Sequence, residues 1–485
     1  MHDFDPEHEF CCCSRREFME VLGAAGGASL IGAAEAKAAA APAPAEKSPA
    51  VVRAIFLYPP SESLRQAGYW SWPGVSFDAE GHHRQYLARL KAIEAKLGMR
   101  IEAAASPVSD AAGVDAFLRE IEQNKPDAVL VIPFYKGHWP LVLRILDQAK
   151  LPTVVFATWA VLFVAHLRQI HDRPGVHAIN SPDNFEALEY AMKMVAAARW
   201  MRGARLISIT GKTLIEAREP HLGTLVRTIP HARFAAEVDA TPDAAARPVA
   251  EAYRRGAKEI VEPTEADLLD AAKGYLALKR ILAAERGDAV MVRCLEGLRR
   301  PPGGKPAHVP LCMGFMSLRD EGIAAGCQAD LESTLMLMLL QRLFDRPGFQ
   351  HNLGLDTERN QYFGAHCTSA SRMGGPSAPA EPYVLRSHNE AGWGCVPRVL
   401  MTPGQEVTLA QYVAGPKPKM HVYTGKIVRV PPPCGCRTNV VTTVNELPDV
   451  CQMQSNPMGH MCLVYGDFGR QLRAFCRLLA IDVAT

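Results

Sequence analysis

The sequence predicts a mixed α/β chain, with two doubly wound α/β domains followed by a C-terminal all-β, barrel-like domain. Three observations carry that expectation. Short β-branched runs alternate with amphipathic stretches from Val51 to about residue 180, and the alternation restarts at Phe185. Beyond about residue 375, Pro, Gly, Thr and Val dominate, and strand candidates succeed one another. A β-α-β-α order argues for parallel sheets covered on both faces, whereas strands without intervening helices argue for a sandwich or barrel. A chain of 485 residues is also too long for one ordinary core.

Within the first unit, Val51–Leu57 reads as a strand, and 84–97 has helical spacing with Gly98 as its stop. Arg100–Ala104 is a strand, 111–123 a helix, Ala128–Ile132 a strand, 141–149 a helix and Thr153–Phe156 a strand. The second unit opens with a helix over 185–200 and a strand ending before Gly211. It continues through a long helix near 265–286, the strand Ala289–Arg293 and a helix over 330–344. In the third, strands are expected at Glu406–Leu409, Lys419–Val430 and Asn439–Val444, with a closing helix over 468–479. The expected division is a leader over 1–36, an Ala/Pro linker over 37–49, α/β domains over 50–180 and 181–372, and the β domain over 373–485.

Composition excludes several classes. A formal net charge of +2 gives no electrostatic case for nucleic acid or an anionic membrane. Thirteen cysteines are scattered, with no repeated C-x-x-C of zinc-finger spacing. Cys434, Cys436 and Cys451 could pair after export, but buried free thiols are the better reading. Ile209-Thr210-Gly211-Lys212-Thr213 ends like a phosphate-binding loop yet lacks its upstream glycine, so a strand-to-helix turn is the plain reading.

The N-terminus reads as an address. Ser14-Arg15-Arg16-Glu17-Phe18-Met19 precedes a weakly apolar Gly/Ala-rich run, and Ala34 and Ala36 supply an A-x-A cleavage site. This is the pattern of a twin-arginine export signal, which implies a periplasmic or otherwise exported protein and the twin-arginine translocase as a partner. A retained membrane anchor is the competing reading, and the low hydropathy of the run weakens it.

Three segments carry candidate chemistry. Glu296 follows directly on a predicted parallel strand, where open α/β sheets collect ligand-contacting residues, although such a Glu is more often a solvated loop residue. Asp330, in Gly326-Cys327-Gln328-Ala329-Asp330-Leu331-Glu332, opens a helix and is an excellent N-cap as well as a candidate ligand. His460 lies in Gly459-His460-Met461-Cys462-Leu463-Val464-Tyr465-Gly466-Asp467, where a satisfied core histidine is the bland alternative.

Together these segments resemble the L-fucose isomerase family and, more distantly, L-arabinose isomerase. The resemblance rests on the run Cys327–Leu335, on Phe363-Gly364-Ala365-His366-Cys367, on Gly404-x-Glu406-Val407-Thr408-Leu409, and on His460 with Gly466-Asp467. It implies a metal-dependent aldose–ketose isomerase acting on a sugar or sugar derivative through an enediol. Mn²⁺, or another divalent cation such as Co²⁺ or Mg²⁺, would be held by Glu296, Asp330 and His460. Glu296 or Asp330 would serve as general base. His366, Arg372 and His388 are expected as substrate contacts, and His366 matches a further ligand histidine of the arabinose branch. A carbohydrate substrate and a homo-oligomeric assembly are the expected partners. Two other readings remain: a metal-dependent lyase or epimerase on an oxidised glycoside, and a non-catalytic exported sugar-binding protein.

Overall fold

The computed structural model describes residues 47–66, 72–161, 165–298, 306, 308–433, 435–453 and 459–484. The leader and nearly all of the linker lie outside these residues, as does Cys434, and so does the side chain of Glu296.

The first sheet comprises β1 (Val51–Leu57), β2 (Arg100–Ala103), β3 (Ala128–Pro133), β4 (Thr153–Ala157) and β5 (Val176–Asn180), all parallel in the order 2-1-3-4-5. Alternation along its strands divides the apolar side chains between two cores. Phe56, Leu130, Ile132 and Phe156 pack with Tyr86, Leu90 and Ile93 of the helix Ala79–Leu97. Ile55, Leu57, Val129 and Val131 face Phe117 and Ile121 of the helix Ala111–Asn124 and Val142 and Ile145 of the helix Trp139–Gln148. Burial on both faces is why these strands read as near-continuous apolar runs. Asp78 and Asp110 cap their helices, accepting from Gly81 and Gly113 at 2.8 Å each, and Gly98 ends the first with φ +61°.

The second sheet comprises β6 (Arg205–Ile209), β7 (Ile215–Arg218), β8 (Leu225–Ile229), then β9 (Glu259–Ile260) outside it, and β10 (Ala289–Val292) and β11 (Ala324–Gly326). Its order is 11-10-6-8-7, parallel except for the edge strand β7. One face packs on the helices Glu265–Glu285 and Cys312–Asp320, the other on Leu331–Phe344. Glu285 ends the first of these helices, buried at 4 % exposure. It accepts from Arg227 Nε at 2.6 Å and also pairs with Arg233, while Arg227 reaches Glu216 at 2.8 Å. Glu285→Ala leaves the buried Arg227 guanidinium with Glu216 as its remaining ion partner, and we expect it to cost about 2–3 kcal/mol of unfolding free energy. A urea midpoint showing a loss under ~1 kcal/mol would mean that the charges are solvated.

Beyond these, β12 (Phe349–Asp356), β13 (Gln361–His366), β14 (Tyr383–Arg386), β15 (Val396–Val399), β16 (Glu406–Val413), β17 (Lys419–Arg429), β18 (Thr438–Thr442), β19 (Met461–Tyr465) and β20 (Asp482–Ala484) follow. Six of them close an antiparallel barrel in the order 16-19-12-13-18-17, with β16 returning to β17. Strand β20 lies parallel to β17, and β15-β14-β9 form a small separate sheet. The predicted combination of α/β units and a C-terminal β-barrel is therefore the architecture. The barrel takes its first two strands from Phe349–His366, ahead of the composition change near residue 375. Their buried Gln350, His351 and His366 hide the apolar alternation that marks a strand.

The helix Leu331–Phe344 joins the parts. Leu335, Leu337 and Leu339 share one core with Leu206 and Met291 of the second sheet and with Ala410, Cys462 and Val464 of the barrel. Glu332 accepts the backbone N–H of Ala414 at 2.7 Å, pinning the helix start to β16. Among the described residues no helix is long and apolar enough to cross a membrane.

Candidate functional site

Strands β10 and β11 run parallel, with Met291 opposite Gly326, so the segments leaving their carboxyl ends lie together. That edge is where doubly wound sheets present ligand-contacting groups. From β10 the chain enters the short helix Cys294–Leu298, which carries Glu296. From β11 it passes through Cys327, Gln328 and Ala329, with φ of +58° and +53° at the last two, before the helix beginning at Leu331. Two successive non-glycine residues in the left-handed region are costly, by about 1–3 kcal/mol each. The Ala329 N–H bonds Val292 O at 2.9 Å and holds the turn against β10. Gly326 is required there, since a Cβ would meet Thr334 Oγ1 at 1.8 Å.

This turn aims Asp330 in two directions. Its Oδ1 accepts from the Ser333 N–H at 3.0 Å, the N-cap that the sequence suggested. Its Oδ2 accepts from the His460 backbone N–H at 3.1 Å and from His460 Nδ1 at 2.7 Å. The His460 ring is 1 % exposed and the Asp330 side chain 7 %. Burial, the largest single influence, raises the Asp330 carboxyl, but His460 and the Ser333 and His460 backbone N–H groups together outweigh it and hold the group below the usual carboxylate range. An ionised carboxylate only accepts, so His460 Nδ1 carries the proton of that bond, and Nε2 is the ring nitrogen left to meet a ligand. Nε2 is buried and has no hydrogen-bond partner among the described residues.

His366 ends β13, and its ring centroid lies 5.0 Å from that of His460 at an interplanar angle of 62°. It is 3 % exposed, and neither ring nitrogen has a partner among the described residues. Burial, reinforced by His460 and Arg319, drives its basicity well below the normal imidazole value, so the ring is neutral. Buried polar atoms in native structures are nearly always paired, which makes three unpaired imidazole nitrogens the distinctive feature here.

Beneath them, Gln350 on β12 fastens the site to both strand ends. Its Oε1 accepts from the Cys327 N–H at 2.9 Å and from Arg319 Nη2 at 3.1 Å, and its Nε2 donates to Cys327 O at 3.1 Å. Arg319 is fully buried and also donates to Ala325 O through Nε at 2.9 Å and Nη2 at 2.6 Å. Neither residue carries a sequence signal, because a Gln in a strand and an Arg in a helix are unremarkable until the chain closes around them.

The other expected contacts divide. His388 is buried, and its Nδ1 accepts from the Ala391 N–H at 3.3 Å. Burial disfavours its charge, yet the Cys367 thiol beside it prevails and raises its pKa. Bonds from Cys436 and His388 hold the Cys367 thiol down to about 4. Arg372 instead pins its own loop, donating from Nη1 to Ala378 O at 2.6 Å and from its backbone N–H to Asp320 at 2.8 Å. Cys436 and Cys451 are free thiols.

The structure thus brings Asp330, His460 and His366 together, with Glu296 placed by its backbone on the neighbouring segment. Among the described residues no three His, Cys, Asp or Glu side chains converge as a ready metal cage. The two imidazoles lie side by side, and one is oriented by a carboxylate in the manner of metal-binding histidines.

No family model matches the chain, and no curated protein does. Among solved structures it is similar to a 5-methylthioribose transporter solute binding protein from Thermotoga lettingae, crystallised in complex with 5-methylthioribose. Identity is 13 % over 55 % of this chain and 75 % of that one, with a TM-score of 0.17. A likeness of that size carries no functional argument.

Proposed function

We propose that this chain is a divalent-metal-dependent enzyme acting on a sugar or sugar-like polyol, of the aldose–ketose isomerase type. The observation that supports it is the buried Asp330–His460 pair beside the His366 ring, with His460 Nε2 and both His366 nitrogens lacking a partner among the described residues. His460 and His366 would hold the ion together with Glu296, and Asp330 would contribute its carboxylate directly or through His460. A divalent cation there supplies a Lewis acid for adjacent substrate oxygens. The chain's own part is to keep the His366 ring neutral by burial, to orient His460 through Asp330, and to supply Glu296 or Asp330 as base. Export through the leader is part of the same proposal, and fractionation of cells expressing an Arg15→Lys/Arg16→Lys chain tests it, with periplasmic accumulation counting against the twin-arginine route.

Metal supply is the direct test. Chelator-treated protein should gain several degrees in Tm on addition of Mn²⁺ or Co²⁺, since saturating a site at ~100 times its Kd adds about 2.7 kcal/mol. The Mn²⁺-loaded protein should then interconvert an aldose and a ketose in a substrate screen. An unchanged Tm with Mn²⁺, Co²⁺ and Mg²⁺ alike would remove the metal and with it the proposed chemistry.

A further inference from the structure

The candidate site uses none of the thiols around it, yet two stand in contact at its base. Cys294 opens the short helix after β10 and Cys327 follows β11 directly. Their sulfurs are 3.2 Å apart, and the residues are 5 % and 4 % exposed. Their placement is fixed from several sides. Parallel pairing of β10 with β11 and the Ala329-to-Val292 bond set the backbones, and Gln350 holds both the N–H and the C=O of Cys327. Arg319, bonded to Ala325 two residues before Cys327, places a buried positive charge at the same strand end. A disulfide needs the sulfurs at about 2.05 Å, so an approach of roughly 1 Å brings this pair to bonding distance.

We propose that Cys294 and Cys327 form a redox-active dithiol, which hydrogen peroxide or a similarly small hydroperoxide converts to a disulfide beneath the candidate site. One sulfur attacks a peroxide oxygen, the O–O bond breaks, and a sulfenic acid and one water form. The second sulfur then attacks the first, the S–S bond forms, and the S–O bond breaks to release a second water. Two sulfurs together lose two electrons and the peroxide gains them, so the exchange balances. The crosslink joins the segment carrying Glu296, two residues after Cys294, to the one carrying Asp330, three residues after Cys327. Oxidation therefore changes the spacing of the groups proposed to hold the metal, a consequence that rests on the proposed function.

The test is peptide mapping of the folded full-length protein after brief peroxide treatment, with remaining thiols alkylated on denaturation. The expected product is a linked Cys294–Cys327 peptide, two hydrogens lighter and reversed by dithiothreitol. It should be absent from both Cys327→Ser and Cys294→Ala, so that one folded variant suffices. Finding both cysteines alkylated as in untreated protein, or either joined to Cys312 or Cys462, overturns the proposal. Mn²⁺ titration of reduced and oxidised protein should show an apparent affinity change of about tenfold or more, the scale of disturbed ligand positioning. A linked peptide in a protein that takes up no Mn²⁺ in either state supports the dithiol and overturns the metal reading, so the two fail separately.

Discussion

Asp330→Asn is expected to abolish turnover and weaken Mn²⁺ binding by roughly 10–100-fold, the usual effect of losing a metal-orienting carboxylate. The carboxylate makes acceptor bonds in two directions, to Ser333 N–H and to both His460 donors. An amide has one oxygen. If that oxygen keeps the helix cap, its NH₂ meets the His460 backbone N–H and turns Nδ1 into an acceptor, so the remaining proton moves to Nε2 and blocks the lone pair. If the oxygen turns to His460, the cap is lost, at about 1 kcal/mol. Either outcome distinguishes this residue from a pure N-cap, where Asn serves nearly as well as Asp. Metal content and turnover of the one variant decide it, and normal values for both would reduce Asp330 to a cap. His460→Ala should lose the metal outright while leaving the Asp330 cap in place.

Stability should fall steeply as pH drops from about 6.5 towards 4. Burial lowers His308 to about 4 and His351 to about 3. In the unfolded chain both titrate near about 6.5. The sign follows directly: below that value the unfolded state takes up protons that the folded state refuses, so stability is full above the unfolded pKa. It is then lost progressively until pH reaches the folded values. Each proton contributes a slope of about 1.4 kcal/mol per pH unit, so the pair removes on the order of 5 kcal/mol by pH 4. Urea midpoints between pH 7.5 and 4 measure this directly, and a flat profile over that range would mean the two rings are hydrated. The His308 ring bonds Val309 O through Nδ1 and stacks on His231 at 4.7 Å. His308→Phe should therefore flatten the profile by about one proton's slope while keeping the packing.

The fold class was legible in the chain because both α/β units bury their strands on two faces. Continuous runs such as Ala128–Ile132 then mark β3 without reference to anything distant. Helix ends were legible for a similar reason at Gly98 and Asp330, which satisfy local backbone groups. The first barrel strands were not. Gln350, His351 and His366 are buried, and partners on other segments satisfy the first two in part, Cys327 and Arg319 for Gln350 and Tyr362 for His351. No local pattern announces a polar residue whose partner lies far along the chain.

The candidate site divides along the same line. Residue types and motif order, read from the sequence alone, singled out Glu296, Asp330 and His460, with His366, Arg372 and His388 as substrate contacts. The tertiary structure alone decided that one carboxylate serves as helix cap and histidine orienter at once. It likewise decided that three imidazole nitrogens are buried with no partner among the described residues, that Arg372 is engaged with its own loop, and that Cys294 meets Cys327. Propensity and capping act within a few residues and so are written locally. Hydrogen-bond satisfaction in a buried site is a sum over segments brought together from β10 to β19, and it has no value until the chain has closed.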